Sequence, residues 1–203
     1  MITIINYGMG NLRSVQKGFE KVGAQALITN NPDEILKADK IVLPGVGAFK
    51  QAMESLSNLG LIDPLISVIK RGVPYLGICL GLQLLFSESE EFGNCRGLGL
   101  IKGKIKKFNN SQDKTLKIPH MGWNSINILK DSPLYNSIKN NTFFYFVHSY
   151  YAEPADKDNI LSSSEYGINF TSAIAVDNIF ATQFHPEKSQ IEGLKILKNF
   201  AEI

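Results

Sequence analysis

The sequence predicts an α/β protein with an open, twisted, mixed but mostly parallel sheet and helices on both faces, as in flavodoxin-like folds. Two observations lead to this prediction. Short apolar runs alternate with stretches whose apolar residues recur at helical spacing, which is typical of parallel strands joined by helices. The 203 residues, 44% of them apolar, are enough for one buried core. We therefore expect a single domain over residues 1–203.

The first half of the chain supplies most of the predicted parallel strands. Short apolar runs predict strands at residues 2–6 and 26–29, and buried strands at residues 41–43 and 73–78. Apolar residues at helical spacing, helped by Pro32 at a favoured first helical position, predict the connecting helices. These helices cover residues 12–22, a short segment from residue 31, and residues 48–56, 61–69 and 80–86.

The second half is richer in predicted strands, at residues 102–108, 125–129, 143–147, 171–176 and 180–184. We expect the last three to join the sheet as antiparallel or mixed additions. Apolar residues at every third position predict a closing helix over residues 193–200. Polar, turn-rich stretches predict loops at residues 109–114 and 153–159.

Composition and charge exclude several classes of function. The 21 basic and 19 acidic residues leave a net charge of +2, far from the strongly basic face that nucleic-acid binding needs. No apolar run approaches the ~20 residues of a membrane span, and the N-terminus lacks the basic segment of a signal peptide. Cys79 and Cys95 form no CxxC pattern. We therefore expect no metal site, no disulfide scaffold and a cytoplasmic protein.

The first chemical motif is a cysteine between two glycines. Gly77-Ile78-Cys79-Leu80-Gly81 falls where a buried strand is predicted to meet a helix. This is the pattern of a nucleophile elbow, in which a sharp turn presents the central residue and glycines let the backbones approach. The start of the following helix would also favour the thiolate form of the cysteine. By itself the pattern is equally compatible with a buried structural cysteine.

A second motif, near the C-terminus, supplies a base. Residues 180–187 form a predicted strand followed by His185-Pro186-Glu187. Because a residue before proline is extended, and residues i and i+2 of an extended segment share a side, His185 and Glu187 can meet. A carboxylate on one imidazole nitrogen leaves the other free to act as a base. Each residue alone could be structural or solvated, but an oriented histidine together with the Cys79 elbow indicates nucleophilic catalysis.

A third motif is the glycine-rich segment Pro44-Gly45-Val46-Gly47, between a predicted strand and a helix. Backbone N–H groups exposed at such a turn can bind an oxyanion, although a tight strand–helix connection would need the same glycines. The segment lacks the complete dinucleotide-binding or P-loop pattern. We therefore predict no nucleotide site and no cofactor.

Together these motifs resemble those of the class I glutamine amidotransferases, whose triad the Cys79 elbow and the His-Pro-Glu segment match. Four further segments are similar to the glutaminase subunits of imidazole glycerol phosphate synthase, from histidine biosynthesis. They are residues 6–12 (NYGMGNL), 44–49 (PGVGAF), 119–124 (PHMGWN) and 145–150 (YFVHSY). The resemblance extends from Ile2 to Phe200, with Asn6 standing where many relatives have aspartate.

The resemblance implies a role for each matching residue. Cys79 attacks the side-chain carboxamide of glutamine, His185 takes the thiol proton and passes it to the leaving ammonia, and Glu187 orients His185. Backbone N–H groups of Val46 and Leu80 meet the oxyanion, and water releases glutamate from a thioester. The residues implied to hold glutamine are Gly45, Gly47, Gln83, His148, Ser149 and Tyr150. One of them, Gln83, could instead be a partly buried polar residue of the helix.

The resemblance also implies a partner. Ammonia would pass to a cyclase subunit with a (β/α)8 barrel. There an N-linked ribulose ribonucleotide precursor would give imidazole glycerol phosphate and an aminoimidazole carboxamide ribotide. The residues implied at the interface are Met121, Trp123, Asn124 and Lys188. Tryptophan and methionine are enriched in interface cores, but Trp123 could lie in the protein core and Lys188 in solvent, while His120 could contact the partner or lie in a loop.

Several interpretations remain open at this point. The ammonia acceptor could be a sugar, as in amidotransferases of surface polysaccharide synthesis, because the partner sets the acceptor. The chain could be a cysteine hydrolase or protease of similar fold, or an inactive regulatory subunit, although the intact Cys79, His185 and Glu187 disfavour the last. The segment around Val46 could also rest with a peptide N–H turned away, and partner binding would then stabilise the competent form.

Overall fold

The computed structural model describes residues 1–109 and 116–203. The first half alternates strands and helices: β1 (Ile2–Ile5), α1 (Leu12–Lys21), β2 (Ala26–Thr29), α2 (Pro32–Leu36), β3 (Lys40–Gly45), α3 (Phe49–Asn58), α4 (Ile62–Lys70), β4 (Tyr75–Cys79) and α5 (Leu80–Gln83). The second half is mainly strands: β5 (Phe86–Ser89), β6 (Cys95–Arg96), β7 (Ile101–Lys107), β8 (His120–Ser125), β9 (Asn127–Ile128), β10 (Phe143–His148), β11 (Tyr150–Pro154), β12 (Ile160–Glu165), β13 (Asn169–Val176) and β14 (Ile179–Thr182). A closing helix, α6 (Gln190–Glu202), ends the fold.

Parallel pairing runs through one half of the main sheet. The order β2–β1–β3–β4–β14 is parallel throughout, which is the flavodoxin-like order of a doubly wound fold. From β14 the sheet continues through antiparallel β13 and β11 to β7, β5 and β6. The prediction of a mixed sheet is confirmed, with antiparallel additions on one side of the parallel strands.

Helices cover both faces of the sheet, as predicted, because the central strands bury side chains on both faces. In β3, Ile41 and Leu43 belong to the core on one face, and Val42 belongs to the core on the other. Residues of α2, α3 and α4 complete the first core, and residues of α1 and α6 complete the second. A strand that is fully buried on both faces must lie inside a sheet covered by helices.

Two aromatic-rich strands form a separate, two-stranded sheet. β8 pairs with β10 in antiparallel register, with His120 opposite His148 and Trp123 opposite Tyr145. The prediction that residues 143–147 join the main sheet is therefore wrong, and the strand predicted at residues 125–129 is reduced to the short β9. Alternation along a strand indicates which side chains are buried, but the pairing partner depends on distant residues.

The predicted helix over residues 80–86 is also wrong. α5 is a single turn, and Phe86 already begins β5. The carbonyls of Leu84 and Leu85 accept hydrogen bonds from backbone N–H groups at the start of β7 and just before it, so tertiary pairing ends the helix. Leu84, Leu85 and Phe86 are fully buried, and a short apolar run of this kind does not distinguish a buried helix from a strand.

Five strands, β5, β6, β8, β11 and β12, were not predicted, because polar residues interrupt or dominate them. In β12 the three consecutive serines, Ser162, Ser163 and Ser164, are buried. The loop predicted at residues 153–159 begins inside β11 and ends in a single 3-10 turn, Lys157–Asn159. Apart from Asn109, the loop predicted at residues 109–114 lies outside the described residues.

Within the described chain, no single helix is long and apolar enough to cross a membrane. The helices α3 and α4 have the required length and composition together, as a pair bent by 94°.

Candidate active site

The predicted catalytic residues meet at one edge of the parallel strands. Cys79 is the last residue of β4 and lies opposite Gly45, the last residue of β3. His185 follows β14, which pairs with β4 along its other side. Because the three strands are parallel, their carboxyl ends lie together, at the edge where open α/β sheets bind ligands. The strand order therefore gathers a thiol, an imidazole and a glycine-rich turn that are far apart in the chain.

The backbone at Cys79 makes the strained turn of a nucleophile elbow. Its φ of 54° and ψ of −104° lie in a region that non-glycine residues rarely occupy. A Cβ on Gly77 would lie 2.6 Å from the carbonyl oxygen of Gly81, and a Cβ on Gly81 would overlap the carbonyl oxygen of Leu43. Close backbone contacts on both sides of the cysteine therefore require the two glycines.

The carboxylate of Glu187 orients the imidazole of His185. His185 Nδ1 lies 2.8 Å from Glu187 Oε1, and both side chains are at most 3% exposed. The expected geometry is wrong in one respect, because Pro186–Lys188 is a 3-10 turn and not an extended segment. This turn, and not strand alternation, brings the two side chains together. A Cβ on Gly193 would overlap the carbonyl oxygen of Pro186, so α6 packs directly against the turn.

The second ring nitrogen of His185 is left for the thiol. Nε2 is buried without a hydrogen bond of good geometry among the described residues, and Cys79 lies close enough to act on the ring. Burial lowers the pKa of His185, but the Cys79 thiolate and the Glu187 carboxylate outweigh it and hold that pKa well above its usual range. Both neighbours therefore favour the protonated form of His185, as a base that accepts a proton from a thiol requires.

Gln183, which was not predicted, also contacts the thiol. Its Nε2 lies 3.6 Å from Cys79 Sγ, and its Oε1 accepts from Nε2 of Gln83 at 3.1 Å. Gln183 is fully buried, and its amide donates to the sulfur, which stabilises negative charge there. The start of the following helix was expected to favour the thiolate, but α5 is only one turn long and its dipole adds little. The Gln183 amide is therefore the more important donor to the sulfur. A signal was available: Gln183 precedes His185 by two residues, the spacing of neighbours on one side of an extended chain.

A cleft of about 450 Å³ opens at Cys79. Most residues implied to bind glutamine or its oxyanion line this cleft: Val46, Gly47, Leu80, Gln83, His148, Ser149 and Tyr150. Gly45 does not line it. The space beside its Cα is filled by the Tyr7 hydroxyl and by Leu80, so a Cβ at this position would overlap them. Glu91, which was not predicted, also lines the cleft, and its carboxylate accepts a hydrogen bond from the backbone N–H of Phe49 at 2.6 Å.

Three of the four residues implied at a partner interface face outward. Met121 and Trp123 alternate along β8 and are 64% and 46% exposed, so Trp123 is not a core residue. Lys188 is exposed at the rim of the cleft, with its Nζ 5.8 Å from the centre of the Tyr145 ring. These side chains form one partly apolar surface beside the cleft.

The fourth residue, Asn124, turns inward. Its Nδ2 donates to the carbonyl of Glu165 at 2.8 Å and to Nε2 of His120 at 3.3 Å. His120 lies in strand β8 and is buried, so it is neither a loop residue nor exposed to a partner, and its Nδ1 lies 2.9 Å from Nε2 of His148. Burial lowers the pKa of His120 to about 4 and that of His148 to about 3, so both rings are neutral at pH 7.

These two buried histidines should make the fold sensitive to acid. In the unfolded chain each takes up a proton near its ordinary pKa of about 6.5, whereas the folded chain resists protonation down to about pH 4 and pH 3. The unfolded state therefore binds more protons, and the free energy of unfolding should fall as the pH drops from 6.5 to 4. Urea unfolding at pH 7, 5.5 and 4.5 measures the decline. A His120→Phe variant should show a shallower decline, and an equal one would contradict this account.

The described part of the chain contains no group of three His, Cys, Asp or Glu side chains that could hold a metal ion. Both cysteines are free. Cys95 is half-buried in β6, and its sulfur contacts only the neighbouring carbonyl of Arg96 at 3.8 Å among the hydrogen bonds of the described residues.

Comparison with known proteins gives the class first. The model of the family "Glutamine amidotransferase class-I" matches residues 3–203. A crystal structure of a glutamine amidotransferase shares the fold with a TM-score of 0.76, at 14% identity over 100% of both chains. The structure of PurLQS from Thermotoga maritima matches with a TM-score of 0.74, at 17% identity over 99% of this chain and 97% of the other. By family and fold, the protein is a class I glutamine amidotransferase enzyme.

Closer relatives give the family. An imidazole glycerol phosphate synthase subunit HisH from Methanocaldococcus jannaschii is 54% identical over 203 residues, 100% of both chains. The subunit of the same name from Syntrophotalea carbinolica is 52% identical over 206 residues, again 100% of both chains. The chain therefore belongs to the HisH family within the class I glutamine amidotransferases.

Proposed function

We propose that the chain hydrolyses glutamine and supplies the ammonia to a cyclase partner that makes imidazole glycerol phosphate. The observation that carries the proposal is the arrangement of Cys79, His185 and Glu187 at an open cleft. The close relatives are named as subunits of imidazole glycerol phosphate synthase. Their name supports this acceptor over a sugar of surface polysaccharide synthesis, and the class I family supports an amidotransferase over a protease.

The first half-reaction forms a thioester. The thiolate of Cys79 attacks the side-chain carbonyl carbon of glutamine, a C–S bond forms, and the carbonyl oxygen becomes an oxyanion. Collapse of this intermediate breaks the C–N bond, while Nε2 of His185 donates its proton to the leaving nitrogen. The products are ammonia and a glutamyl thioester on Cys79. Glu187 holds the ring of His185 in place through Nδ1.

The second half-reaction regenerates the enzyme. A water molecule attacks the thioester carbon as neutral His185 takes its proton. The C–S bond breaks, glutamate leaves, and the thiolate–imidazolium pair is restored. The sum is glutamine plus water giving glutamate plus ammonia, so no cofactor is required.

Backbone groups and polar side chains of the cleft hold the substrate. The peptide N–H groups of Val46 and Leu80 are the donors proposed for the oxyanion, because Val46 lines the cleft beside Cys79 and Leu80 begins α5, where helix N–H groups lack intrahelical acceptors. Glu91 is the acidic side chain of the cleft, and we assign it to the α-ammonium group of glutamine. Gln83 and the backbone of residues 148–150 are assigned to the other contacts with glutamine.

The proposed cyclase partner, a (β/α)8 barrel, docks on the surface that carries Met121, Trp123 and Lys188. Exposed tryptophan and methionine side chains are the residue types that anchor interfaces. The surface lies beside the cleft, so a docked partner would cover the site and receive ammonia before it reaches solvent. Docking could also stabilise the form of the Val46 segment in which its N–H faces the substrate, a population shift.

Glutamate release from glutamine tests the proposal. We expect slow release by the purified chain alone and faster release with the barrel partner and its ribonucleotide substrate. The increase should be about 10- to 100-fold, the usual range of an allosteric coupling. Unstimulated hydrolysis, equally fast with and without the partner, would overturn the gating. Absence of a response to the cyclase, with Cys79 still alkylated by a glutamine-mimicking electrophile, would leave a glutaminase with another acceptor.

A further inference from the structure

We propose that one continuous chain of hydrogen bonds links strand β8 to the sulfur of Cys79, and that His120, His148 and Gln183 act in it as positioning residues for the nucleophile. The inference deepens the proposed function and rests on it for one of its two measurements. The chain runs in order through Asn124, His120, His148, the carbonyl of Tyr150, Gln83, Gln183 and Cys79.

The direction of the first part follows from the acceptor at its end. The carbonyl of Tyr150 can only accept, so Nδ1 of His148, 2.8 Å away, carries the hydrogen. Nε2 of neutral His148 is then an acceptor and receives a hydrogen bond from Nδ1 of His120 at 2.9 Å. Nε2 of His120 is left as an acceptor for the amide of Asn124, at 3.3 Å. Each ring is thereby held in one tautomer.

The carbonyl of Tyr150 joins the two parts of the chain. It accepts a second hydrogen bond from Nε2 of Gln83 at 3.0 Å, and the same nitrogen donates to Oε1 of Gln183. This contact fixes the amide orientation of Gln183 and leaves its Nε2 for the sulfur of Cys79. A rotated Gln183 amide would lose both contacts, so the donor at the sulfur depends on the carbonyl several bonds away.

The other end of the chain lies on the strand proposed to meet the partner. Asn124 and His120 point inward from β8, while Met121 and Trp123 point outward from it. Because neighbouring residues of a strand share one rigid backbone, a shift of the outward pair also moves the inward pair. Partner contact with β8 can therefore change the hydrogen bond at the Cys79 thiol although the partner does not contact the thiol.

A second connection from the same small sheet reaches the base. The carbonyl of Tyr145, in β10, accepts a hydrogen bond from the backbone N–H of His185 at 2.9 Å. The N–H of Tyr145 donates to the hydroxyl of Ser189, which in turn donates to the carbonyl of His185 at 2.7 Å. The β8–β10 sheet thus holds both members of the thiolate–imidazolium pair.

The surroundings of the two rings argue for more than packing. His120 and His148 contact Phe108, Phe146 and Phe170. In such an environment apolar side chains would pack without needing partners, whereas buried polar groups cost free energy unless every one is paired. A continuous chain of hydrogen bonds can transmit a change of position, because one broken contact reorients the neighbouring polar groups. An apolar cluster cannot do this.

The test compares two substitutions of His120 in the full chain, alone and with the cyclase partner. His120→Phe retains a ring to stack on Phe146 and Tyr166 but removes the donor to His148. His120→Asn restores a donor near the position of Nδ1. Tyr166→Phe is the matched control, because it removes a neighbouring hydrogen bond, to the carbonyl of Lys117, but keeps the ring that stacks on His120 and every hydrogen bond between Asn124 and Cys79.

Two quantities are measured for each protein. One is the rate at which iodoacetamide alkylates Cys79 in the protein without its partner, and the other is the factor by which the partner increases glutamate release. For His120→Phe we expect alkylation to slow about threefold and stimulation to fall about tenfold, the effect of one lost buried hydrogen bond. His120→Asn should recover both to within about twofold of the unmodified protein, and Tyr166→Phe should change neither by more than that.

A folded His120→Phe variant with unchanged rates would overturn the inference, as would equal losses in His120→Phe and Tyr166→Phe. If the unmodified complex releases no glutamate, the proposed function fails. The alkylation rates still decide whether the hydrogen-bond chain positions the thiol. If His120→Phe does not fold, Asn124→Ala replaces it at the half-exposed end of the chain. It should lower both rates about threefold, and unchanged rates would again be decisive against the inference.

Discussion

Replacing Cys79 by alanine is expected to abolish glutamine hydrolysis, with a loss of at least about 10⁴-fold in turnover. Without the sulfur no thioester can form, and water would have to attack the unactivated amide of glutamine directly. The residues that remain, His185 and Glu187, can still orient a proton donor, but they have no covalent intermediate to act on. Glutamate release by the chain in complex with its partner, at saturating glutamine, measures the loss.

Two controls separate the chemistry of the thiol from damage to the fold. The Cys79→Ala complex should still make product when ammonium salts replace glutamine, because the acceptor chemistry is proposed to lie on the partner. Cys95→Ser should retain activity within about twofold, since Cys95 lies in β6 and does not itself line the cleft. Substantial hydrolysis by Cys79→Ala, or a large loss with Cys95→Ser, would mean that the wrong cysteine has been assigned.

Replacing Gly81 by alanine is expected to reduce the stability of the protein more than adding a methyl group at any other position of the elbow. The added Cβ would overlap the carbonyl oxygen of Leu43, a backbone atom of the neighbouring strand β3. Neither backbone can move without breaking the sheet, so we expect the free energy of unfolding to fall by about 3 kcal/mol or more. Urea unfolding measures this loss. Alkylation of Cys79 should slow in whatever fraction remains folded, because the turn that presents the thiol is displaced.

Gly18→Ala is the matched control for this prediction. A Cβ there would lie 2.6 Å from Cδ1 of Leu197, the far end of a side chain that can rotate away. Alanine is also the better helix former by about 1 kcal/mol, which offsets the cost of moving Leu197. The control should stay within about 1 kcal/mol of the unmodified protein. If Gly81→Ala is as stable as Gly18→Ala, the close approach of β3 and α5 does not require a glycine.

The core of the fold and the chemistry of the site were predictable because both depend on short-range patterns. The alternation of apolar runs and helical spacing correctly predicts β1 to β4 and helices α1 to α4. The glycines around Cys79 predict a sharp turn, since only glycine permits such close backbone contacts. His185 and Glu187 were expected to meet, and they do so at 2.8 Å, although through a 3-10 turn and not through an extended segment.

Other features depended on contacts between residues distant in the chain. The end of α5 after one turn follows from carbonyls that pair with the segment leading into β7. The pairing of β8 with β10 separates residues 143–147 from the main sheet. The inward direction of Asn124, beside outward Met121 and Trp123, follows from that pairing as well. No local pattern distinguishes these outcomes, because a short strand can satisfy its backbone hydrogen bonds with any suitable edge.

The residue types and their spacing thus sufficed to indicate a thiol nucleophile, its base and a parallel sheet that brings them together, since backbone sterics and side-chain periodicity act over a few residues. The tertiary structure alone placed Gln183 at the sulfur of Cys79 and buried His120 against His148. Those contacts join residues 104 and 28 positions apart, and such pairs exist only once the strands that carry them have chosen their neighbours.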